Sequence, residues 1–269
     1  MSIRLIVTDM DGTLLDAHRQ VTEHTRQVIR KCLDRGILFA LASGRSSDAI
    51  GRFIRESDIK GCIIMSCNGA HIEDSEGNVL FEHKVDPDIA KEAAKRLVSA
   101  GLYLECYATH KNYMANLRPM KERDHKPGIN KDGTLFMEDP EKLIEVGTKD
   151  ARKLIMFSDD IGDQDLTEKL LADLPLDLSK SSTDNVEIMD KGAGKGEAVR
   201  KFAELTGIKK DEIMAFGDQT NDISMLLEAG TAVAMENAVD EVKRIADVIA
   251  PPNYEDGEAQ IIEKLVLNI

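Results

Sequence analysis

The fold is decided by the stretch Arg4-Leu5-Ile6-Val7-Thr8-Asp9-Met10-Asp11-Gly12-Thr13-Leu14. Residues 4–8 form a short, nearly all-apolar run, which is typical of a β-strand covered on both faces. Two aspartates and a glycine follow this run directly, and such residues are common where a strand passes into a loop. The stretch therefore predicts a buried strand with acidic side chains at its carboxyl end.

Strand and helix signals alternate on both sides of the chain's middle section. In the N-terminal part, Thr22 is predicted to cap a helix that ends at Gly36, and either Ser46 or Ser47 to open a second helix. Further strands are predicted over residues 37–42, 62–66, 212–216, 231–235 and 248–250, and further helices over residues 195–205, 222–227, 239–246 and 258–267. This order predicts an α/β fold, a Rossmann-like doubly wound parallel sheet.

The middle of the chain has a different pattern. Between about residues 86 and 189, predicted strands follow one another closely, and predicted helices separate only some of them, which favours an antiparallel sheet in an α+β module. We predict a catalytic core domain formed by residues 1–84 and 191–269, and an inserted α+β cap domain formed by residues 85–190.

Polar residues follow three of the predicted core strands. Asp9 and Asp11 follow the first strand, Ser43-Gly44-Arg45 the second, and Gly217-Asp218-Gln219-Thr220-Asn221-Asp222 the strand over 212–216. Lys195 lies at a helix start between glycines. Because the carboxyl ends of parallel strands meet at one edge of a sheet, we expect these groups to lie together.

The residue types at this edge predict a magnesium and phosphate site. Clustered carboxylates repel one another unless a cation lies among them, and an all-oxygen set of ligands suits Mg²⁺. The expected ligands are Asp9, Asp218, Asp222 and Asn221. Lys195, the Ser43 hydroxyl and backbone N–H groups would bind phosphate oxygens. Asp9 could then attack phosphorus, while Asp11, two residues on, carries the proton to the leaving oxygen and later activates water.

A surface turn is the simpler interpretation of a segment that is rich in Asp and Gly. The chain contains its own comparison, since Asp132-Gly133-Thr134-Leu135 repeats part of the motif with Asn130 in place of the first aspartate and no apolar strand before it. We predict a surface turn for this second copy and a functional site for the first.

The four motifs together resemble those of haloacid dehalogenase-like phosphatases. The large insertion resembles the type C2 cap of the Cof-type subfamily, which includes sugar phosphatases. Further similarity lies in Asn68-Gly69-Ala70, in residues 234–238 and in residues 253–257.

The resemblance implies a role for each matching residue. Asp9 would be nucleophile and metal ligand, and Asp11 the acid/base, with its backbone carbonyl on Mg²⁺. Asp218 would complete the metal site, with Asn221 and Asp222 holding the metal, its waters or Lys195. The remaining implied site residues are Met10, Ser43, Gly44, Lys195 and Asn221 for phosphate, and Asn68 and Gly69 for the rest of the substrate. Arg45 is expected to brace this edge of the sheet.

The expected activity is Mg²⁺-dependent hydrolysis of small phosphorylated metabolites through an aspartyl-phosphate. Sugar phosphates are the first expectation, and flavin mononucleotide or pyridoxal phosphate are alternatives. In the cap, His110, Lys111, Arg118, Lys121 and Arg123 are candidates for contact with the leaving group. A phosphomutase-type phosphotransferase and a non-catalytic metabolite-binding regulator are the competing functions.

The composition limits the partners. The 269 residues carry 49 Asp and Glu against 35 Lys and Arg, a formal net charge of −14, which disfavours nucleic acid as a partner. We read neither a signal peptide nor a membrane-spanning run, and the four cysteines fit no zinc spacing, so we expect a cytoplasmic protein without a membrane partner. The sequence leaves the oligomeric state open.

Overall fold

The computed structural model of the protein describes residues 3–109, 111–115, 135–180 and 183–269. Asp132, Gly133 and Thr134 of the second motif copy lie outside these residues, as do His110, Arg118, Lys121 and Arg123, so those predictions stay predictions.

The chain forms two compact units, one of Met1–Glu82 with Gly194–Ile269 and one of His83–Ala193. The first segment of the first unit contains β1 (Leu5–Thr8), α1 (Glu23–Asp34), β2 (Leu38–Ala42), α2 (Ser47–Glu56), β3 (Ile63–Ser66), β4 (His71–Glu73) and β5 (Val79–Glu82). The second unit contains α3 (Pro87–Ser99), β6 (Leu104–Ala108), β7 (Asn112–Ala115), β8 (Leu135–Phe136), α4 (Pro140–Gly147), β9 (Ala151–Phe157), α5 (Ile161–Leu171), β10 (Leu176–Ser179) and β11 (Asn185–Asp190). The chain then returns to the first unit with α6 (Lys195–Thr206), β12 (Ile213–Gly217), α7 (Ile223–Glu228), β13 (Thr231–Met235), α8 (Asp240–Ile245), β14 (Val248–Ala250) and α9 (Gly257–Ile262).

An eight-stranded sheet forms the centre of the first unit, in the order β14-β13-β12-β1-β2-β3-β4-β5. The six strands from β14 to β3 pair in parallel, as predicted. Apolar side chains pack on both faces in two separate clusters: Ile6 of β1 belongs to one, and Leu5 and Val7 belong to the other. This two-sided burial explains the nearly unbroken apolar run in β1.

The edge of this sheet differs from the prediction. After β3 the chain forms an antiparallel hairpin, β4 and β5, which extends the sheet by two strands that the sequence pattern did not predict. These strands have three and four residues, and Val79 and Leu80 in β5 are exposed. Such a short and partly exposed hairpin has too little apolar periodicity for the sequence pattern to predict its strands.

The second unit has a six-stranded sheet, in the order β10-β11-β9-β6-β7-β8. Its pairings are antiparallel except for that of β8 with β7, which is parallel. Helices α3, α4 and α5 share one apolar cluster with this sheet. The α+β character of this section is thus confirmed, and its assignment as a substrate-selecting cap stays a prediction.

Local sequence signals set several helix ends. The Thr22 hydroxyl accepts a hydrogen bond from the Thr25 N–H at the start of α1, and Ser46 caps α2 in the same way. Gly207 ends α6 in the left-handed conformation, with φ of 66°. None of the described helices is long and apolar enough to span a membrane.

The contact between α6 and α7 generates a stability prediction. A Cβ atom on Gly196 would lie 2.6 Å from the Ser224 carbonyl oxygen, so Gly196→Ala must push the two helices apart. We expect it to lower the free energy of unfolding by about 1–3 kcal/mol, measured by urea denaturation. Gly51→Ala in α2 is the matched control, because its Cβ would have only ordinary contacts, the nearest at 3.4 Å. Gly51→Ala should raise the free energy of unfolding by up to about 1 kcal/mol. Equal changes in the free energy of unfolding for Gly196→Ala and Gly51→Ala would contradict the close contact between α6 and α7.

Candidate active site

The register of the parallel strands brings distant parts of the chain to one edge. Thr8, the last residue of β1, lies opposite Leu41 in β2 and Phe216 in β12. The N–H of Asp9 donates to the carbonyl of Phe216 at 3.1 Å, which carries the pairing one residue beyond the strand. Asp9 and Asp218 therefore enter the same edge from neighbouring strands, as the sequence predicted.

Three carboxylates lie together at this edge. Oxygens of Asp9, Asp218 and Asp222 all lie within 4.8 Å of one another. The three residues are at most 8% exposed, and Asp222 is fully buried. Carboxylates buried this closely repel one another strongly, because little solvent screens them.

One ammonium group lies between two of these carboxylates. Lys195 opens α6 and is 1% exposed. Its Nζ donates to Asp9 Oδ1 at 2.5 Å and to Asp222 Oδ1 at 2.6 Å. The predicted association of Lys195 with Asp9 and Asp222 is thus present in the structure.

Hydrogen bonds fix the other oxygens of the cluster. Thr13 Oγ1 donates to Asp218 Oδ1 at 2.8 Å, and Gln219 Nε2 donates to Asp218 Oδ2 at 3.1 Å. Asp222 Oδ2 accepts the backbone N–H groups of Asp218 and Gln219 at 2.9 and 3.0 Å. The cluster is therefore held in place by the loop that follows β12 and by the turn that follows β1.

The pKa values reflect this arrangement. Burial, and to a smaller extent the charges of Asp222 and Asp218, raise the pKa of Asp9 to about 8 against the lowering effect of Lys195. Burial also raises the pKa of Asp218 to about 6. Burial alone would lower the pKa of Lys195, but Asp222 and Asp9 together raise it above its usual value. One ammonium does not balance three carboxylates, so the cluster retains a proton or attracts a further cation.

Asp11 takes up a different position. Its carboxylate accepts two hydrogen bonds from Arg45, from Nε at 3.0 Å and from Nη2 at 2.6 Å. Among the described residues, the carboxylate cluster contains Asp9 but not the side chain of Asp11. The paired geometry is specific to arginine, and it supports the bracing role expected for Arg45.

The turn after β1 leaves no room for a side chain at position 12, beside Asp218. Gly12 has φ of 89°, and a Cβ atom there would collide with the Asp218 carboxylate. Met10 points the other way, into the apolar core. Any contact of Met10 with phosphate must therefore come from its backbone N–H.

The segment after β2 is fixed by backbone contacts. The N–H of Ser43 donates to the carbonyl of Met65, and its own carbonyl accepts the N–H of Asn68, both at 2.9 Å. Ser43 is 3% exposed, and its Oγ accepts the N–H of Arg45 at 3.3 Å. Gly44 follows as a half-buried residue. Asn221 lies on the turn Thr220–Asp222, beside the cluster in sequence.

Asn68 and Gly69 follow β3 in a strained turn. Cys67, Asn68 and Gly69 all have φ between 52° and 90°, and Asn68 is 3% exposed. A Cβ atom on Gly69 would lie 2.5 Å from the carbonyl oxygen of Gly194. Gly69 thus has a packing reason to be glycine, since it lies against the residue that precedes Lys195.

Several contacts at this edge were not predicted. Asn237 Nδ2 donates to the Gly12 carbonyl at 2.7 Å, and Asn253 Nδ2 donates to the Leu15 carbonyl at 2.5 Å. Both residues lie in the segments 234–238 and 253–257. The resemblance of these segments to the family was the sequence signal that could have indicated the contacts. The contact of Thr8 with Glu258 had no comparable signal, because the helix pattern alone does not show that a glutamate faces the core.

Comparison with known proteins decides the family. A haloacid dehalogenase-like hydrolase family model matches residues 6–262. The chain belongs to the haloacid dehalogenase-like hydrolases. The resemblance drawn from the four motifs is confirmed.

Relatives and solved structures agree with this assignment. The 5-amino-6-(5-phospho-D-ribitylamino)uracil phosphatase YcsE of Bacillus subtilis (strain 168) is 31% identical, over 99% of this chain and 97% of the relative. The phosphatase YwtE of the same organism, with the same enzyme name, is 28% identical over 98% of each chain. A haloacid dehalogenase-like hydrolase structure from B. subtilis superposes with a TM-score of 0.86, at 25% identity, covering 98% of this chain and 100% of that one. The chain is a phosphoric monoester hydrolase of this family.

The Lys195 contacts generate a second stability prediction. Lys195→Met removes the ammonium and leaves Asp9 and Asp222 buried without it. We expect the free energy of unfolding to fall by about 3–5 kcal/mol at neutral pH, measured by urea denaturation without divalent metal. Lys201→Met is the matched control on the same helix, since its partner Glu204 is exposed. The control should change stability by about 0.5 kcal/mol or less. A similarly small loss in Lys195→Met would show that the buried charges do not depend on this lysine.

Proposed function

We propose that this phosphatase is Mg²⁺-dependent and hydrolyses small phosphorylated metabolites through an aspartyl-phosphate on Asp9. The observation that carries the proposal is the buried cluster of three carboxylates with one ammonium, at the carboxyl ends of β1 and β12. Such a cluster has hard oxygen donors and an excess of negative charge.

The residues present fit a magnesium ion. Asp9, Asp218 and Asp222 offer oxygens close to one another, and burial together with the neighbouring carboxylates raises the pKa of Asp9, so a cation among these oxygens would favour its ionised form. Asn221 and the backbone carbonyl of Asp11 are the further proposed ligands. When bound, Mg²⁺ would neutralise charge on the phosphoryl group and so favour the approach of an anionic nucleophile.

The chain's own groups would hold the phosphate. Lys195 supplies a positive charge, and the Ser43 hydroxyl supplies a hydrogen-bond donor. The backbone N–H groups of Met10, Asp11 and Gly44 complete the proposed cradle, with Asn221 nearby. These groups would give the phosphate a fixed orientation, which is the larger part of catalysis in phosphoryl transfer.

The reaction would proceed in two displacements. An oxygen of Asp9 attacks phosphorus, the bond to the ester oxygen breaks, and Asp11 gives its proton to the departing oxygen. In the second displacement Asp11 takes a proton from water, and the resulting hydroxide attacks phosphorus. Inorganic phosphate leaves, and the Asp9 carboxylate is restored. Arg45 would hold the Asp11 carboxylate in place once its proton has passed to the departing oxygen.

The substrate is proposed from the family and from the relatives. Sugar phosphates stand first, and the two relatives named above are phosphatases of a phosphorylated ribitylamino compound. Asn68 and Gly69 are the proposed contacts of the core with the leaving group. We further propose that residues 85–190 act as a cap that selects the substrate.

The nucleophile is tested by substitution. Asp9→Asn should abolish phosphate release from an aryl phosphate, because an amide oxygen is a far weaker nucleophile. Asp11→Asn should reduce kcat by about 10²–10⁴-fold, the usual contribution of a general acid. Asp132→Asn, in the second copy of the motif, is the matched control and should keep full activity. Wild-type activity in Asp9→Asn, with circular dichroism showing a folded protein, would refute the assignment.

Two further readouts separate the competing functions. Borohydride reduction during turnover should convert Asp9 to homoserine, which mass spectrometry detects, if an aspartyl-phosphate forms. A panel of phosphorylated metabolites, including 5-amino-6-(5-phospho-D-ribitylamino)uracil, should release inorganic phosphate with Mg²⁺ but not with chelator. Isomerised phosphoester without free phosphate would indicate a phosphomutase, and binding without turnover a regulator.

The raised pKa of Asp9 predicts how metal binding depends on pH. Below about pH 8 the metal must displace a proton from the cluster, so its apparent affinity should rise as the pH increases from 6 to 8. Calorimetry of Mg²⁺ binding in buffers of different ionisation enthalpy should reveal the released proton. Asp9→Asn should bind Mg²⁺ more weakly and release fewer protons. Proton release that is the same in wild type and Asp9→Asn would show that Asp9 is not the group displaced.

A further inference from the structure

A buried glutamate lies next to the strand end that carries Asp9. Glu258 is in the first turn of α9 and is 2% exposed. Its helix neighbours Ala259 and Ile262 belong to the apolar cluster that also contains Met10. An ionised carboxylate in such surroundings is costly unless several donors surround it.

The hydroxyl of Thr8 links this glutamate to the backbone of Asp9. Thr8 Oγ1 lies 2.8 Å from Glu258 Oε2 and 2.8 Å from the carbonyl oxygen of Asp9. A hydroxyl has one hydrogen and can donate to only one of these two oxygens. Both contacts are hydrogen bonds only when Glu258 carries a proton on Oε2 and donates it to Thr8, which in turn donates to Asp9.

The other oxygen of Glu258 gives an independent indication. Glu258 Oε1 is buried and has no hydrogen-bond partner among the described residues. A carbonyl oxygen of a neutral acid tolerates this position far better than a charged carboxylate oxygen does.

The charges around Glu258 also favour its protonated form. Burial, together with the nearby charge of Asp9, raises the pKa of Glu258 to about 8. Within the described part of the chain, the thiols of Cys32 on α1 and Cys62 ahead of β3 also interact electrostatically with Glu258. Burial raises the pKa of each thiol to about 12, so both stay neutral near pH 8.

We propose that Glu258 is a positioning residue that donates its proton to Thr8 and so fixes the peptide group between Asp9 and Met10. A peptide group is planar, so anchoring the Asp9 carbonyl oxygen also orients the N–H of Met10. That N–H is one of the proposed phosphate donors, and the inference rests on the proposed function to this extent. Glu258 does not contact substrate in this role.

Three variants test the hydrogen-bond chain. Glu258→Gln keeps a donor to Thr8 and cannot ionise, so its kcat should be close to that of the wild type. Glu258→Met and Thr8→Val each break the chain, and kcat should fall by about tenfold with little change in KM, because the phosphate cradle loses its orientation. The double variant should fall no further than Thr8→Val alone, since both changes remove one connected unit.

The pH profile separates positioning from simple packing. Wild-type kcat should decline above about pH 8, where Glu258 loses its proton, whereas Glu258→Gln should lack this decline. Ile262→Val, a volume change in the same helix and core, is the matched control and should retain the wild-type profile. A Glu258→Met protein with wild-type kcat would overturn the proposal, as would a folded Glu258→Gln protein as impaired as Glu258→Met.

Two measurements do not depend on turnover. Infrared difference spectra between wild type and Glu258→Gln should show the C=O stretch of a protonated carboxylic acid at pH 7. The folded protein keeps this proton to about pH 8, and the unfolded chain releases it near the ordinary value of 4.5. Wild-type stability should therefore fall between these pH values relative to Glu258→Gln.

Failure of this inference and failure of the proposed function give different results. An absent carboxylic acid band, or equal pH dependence of stability in the two proteins, would overturn the role of Glu258 even in an active enzyme. Full activity in Asp9→Asn would instead overturn the proposed function, whatever the state of Glu258.

Discussion

The contact of one buried ammonium with two buried carboxylates governs the organisation of this site. Lys195 can neutralise only part of the charge of Asp9, Asp218 and Asp222, and water reaches none of the three freely. Hydrogen bonds from Thr13 and from the backbone after β12 stabilise individual oxygens, but they add no positive charge. The remaining imbalance supports the proposed cation site of this acidic protein and, with it, the proposed site for an anionic substrate.

The backbone around the cluster must allow this close approach. Side chains are absent where the carboxylates need the space, at Gly12 against Asp218 and at Gly217 against Asp222. Gly69 allows the turn after β3 to reach the residue that precedes Lys195. On the other side of the sheet, a buried acid lies next to the same strand end through Thr8. The position of Asp9 is thus supported by packing on one side of the sheet and by hydrogen bonding on the other.

Local signals in the sequence predicted those parts of the fold that depend on neighbouring residues. The strand β1, the Thr22 cap and the start of α6 at Lys195 all follow from short-range patterns, and the structure agrees. The hairpin of β4 and β5 was missed because its few residues are stabilised by pairing with β3 rather than by their own periodicity. The pairing of Asp11 with Arg45 was only partly anticipated, because the sequence gives no side-chain direction.

By itself, the sequence determined which acidic and basic groups follow the core strands, and the resemblance of its four motifs indicated the family and the class of reaction. These features are local, and the rule that parallel strands end at one edge is general. The tertiary structure decided which of those groups touch. Glu258 lies 250 positions from Thr8 in the chain, and its contact with that hydroxyl exists only because α9 packs beside β1. Burial raises the pKa values of Asp9, Asp218 and Glu258, and it arises from tertiary packing, since the same side chains in an open chain would be fully hydrated.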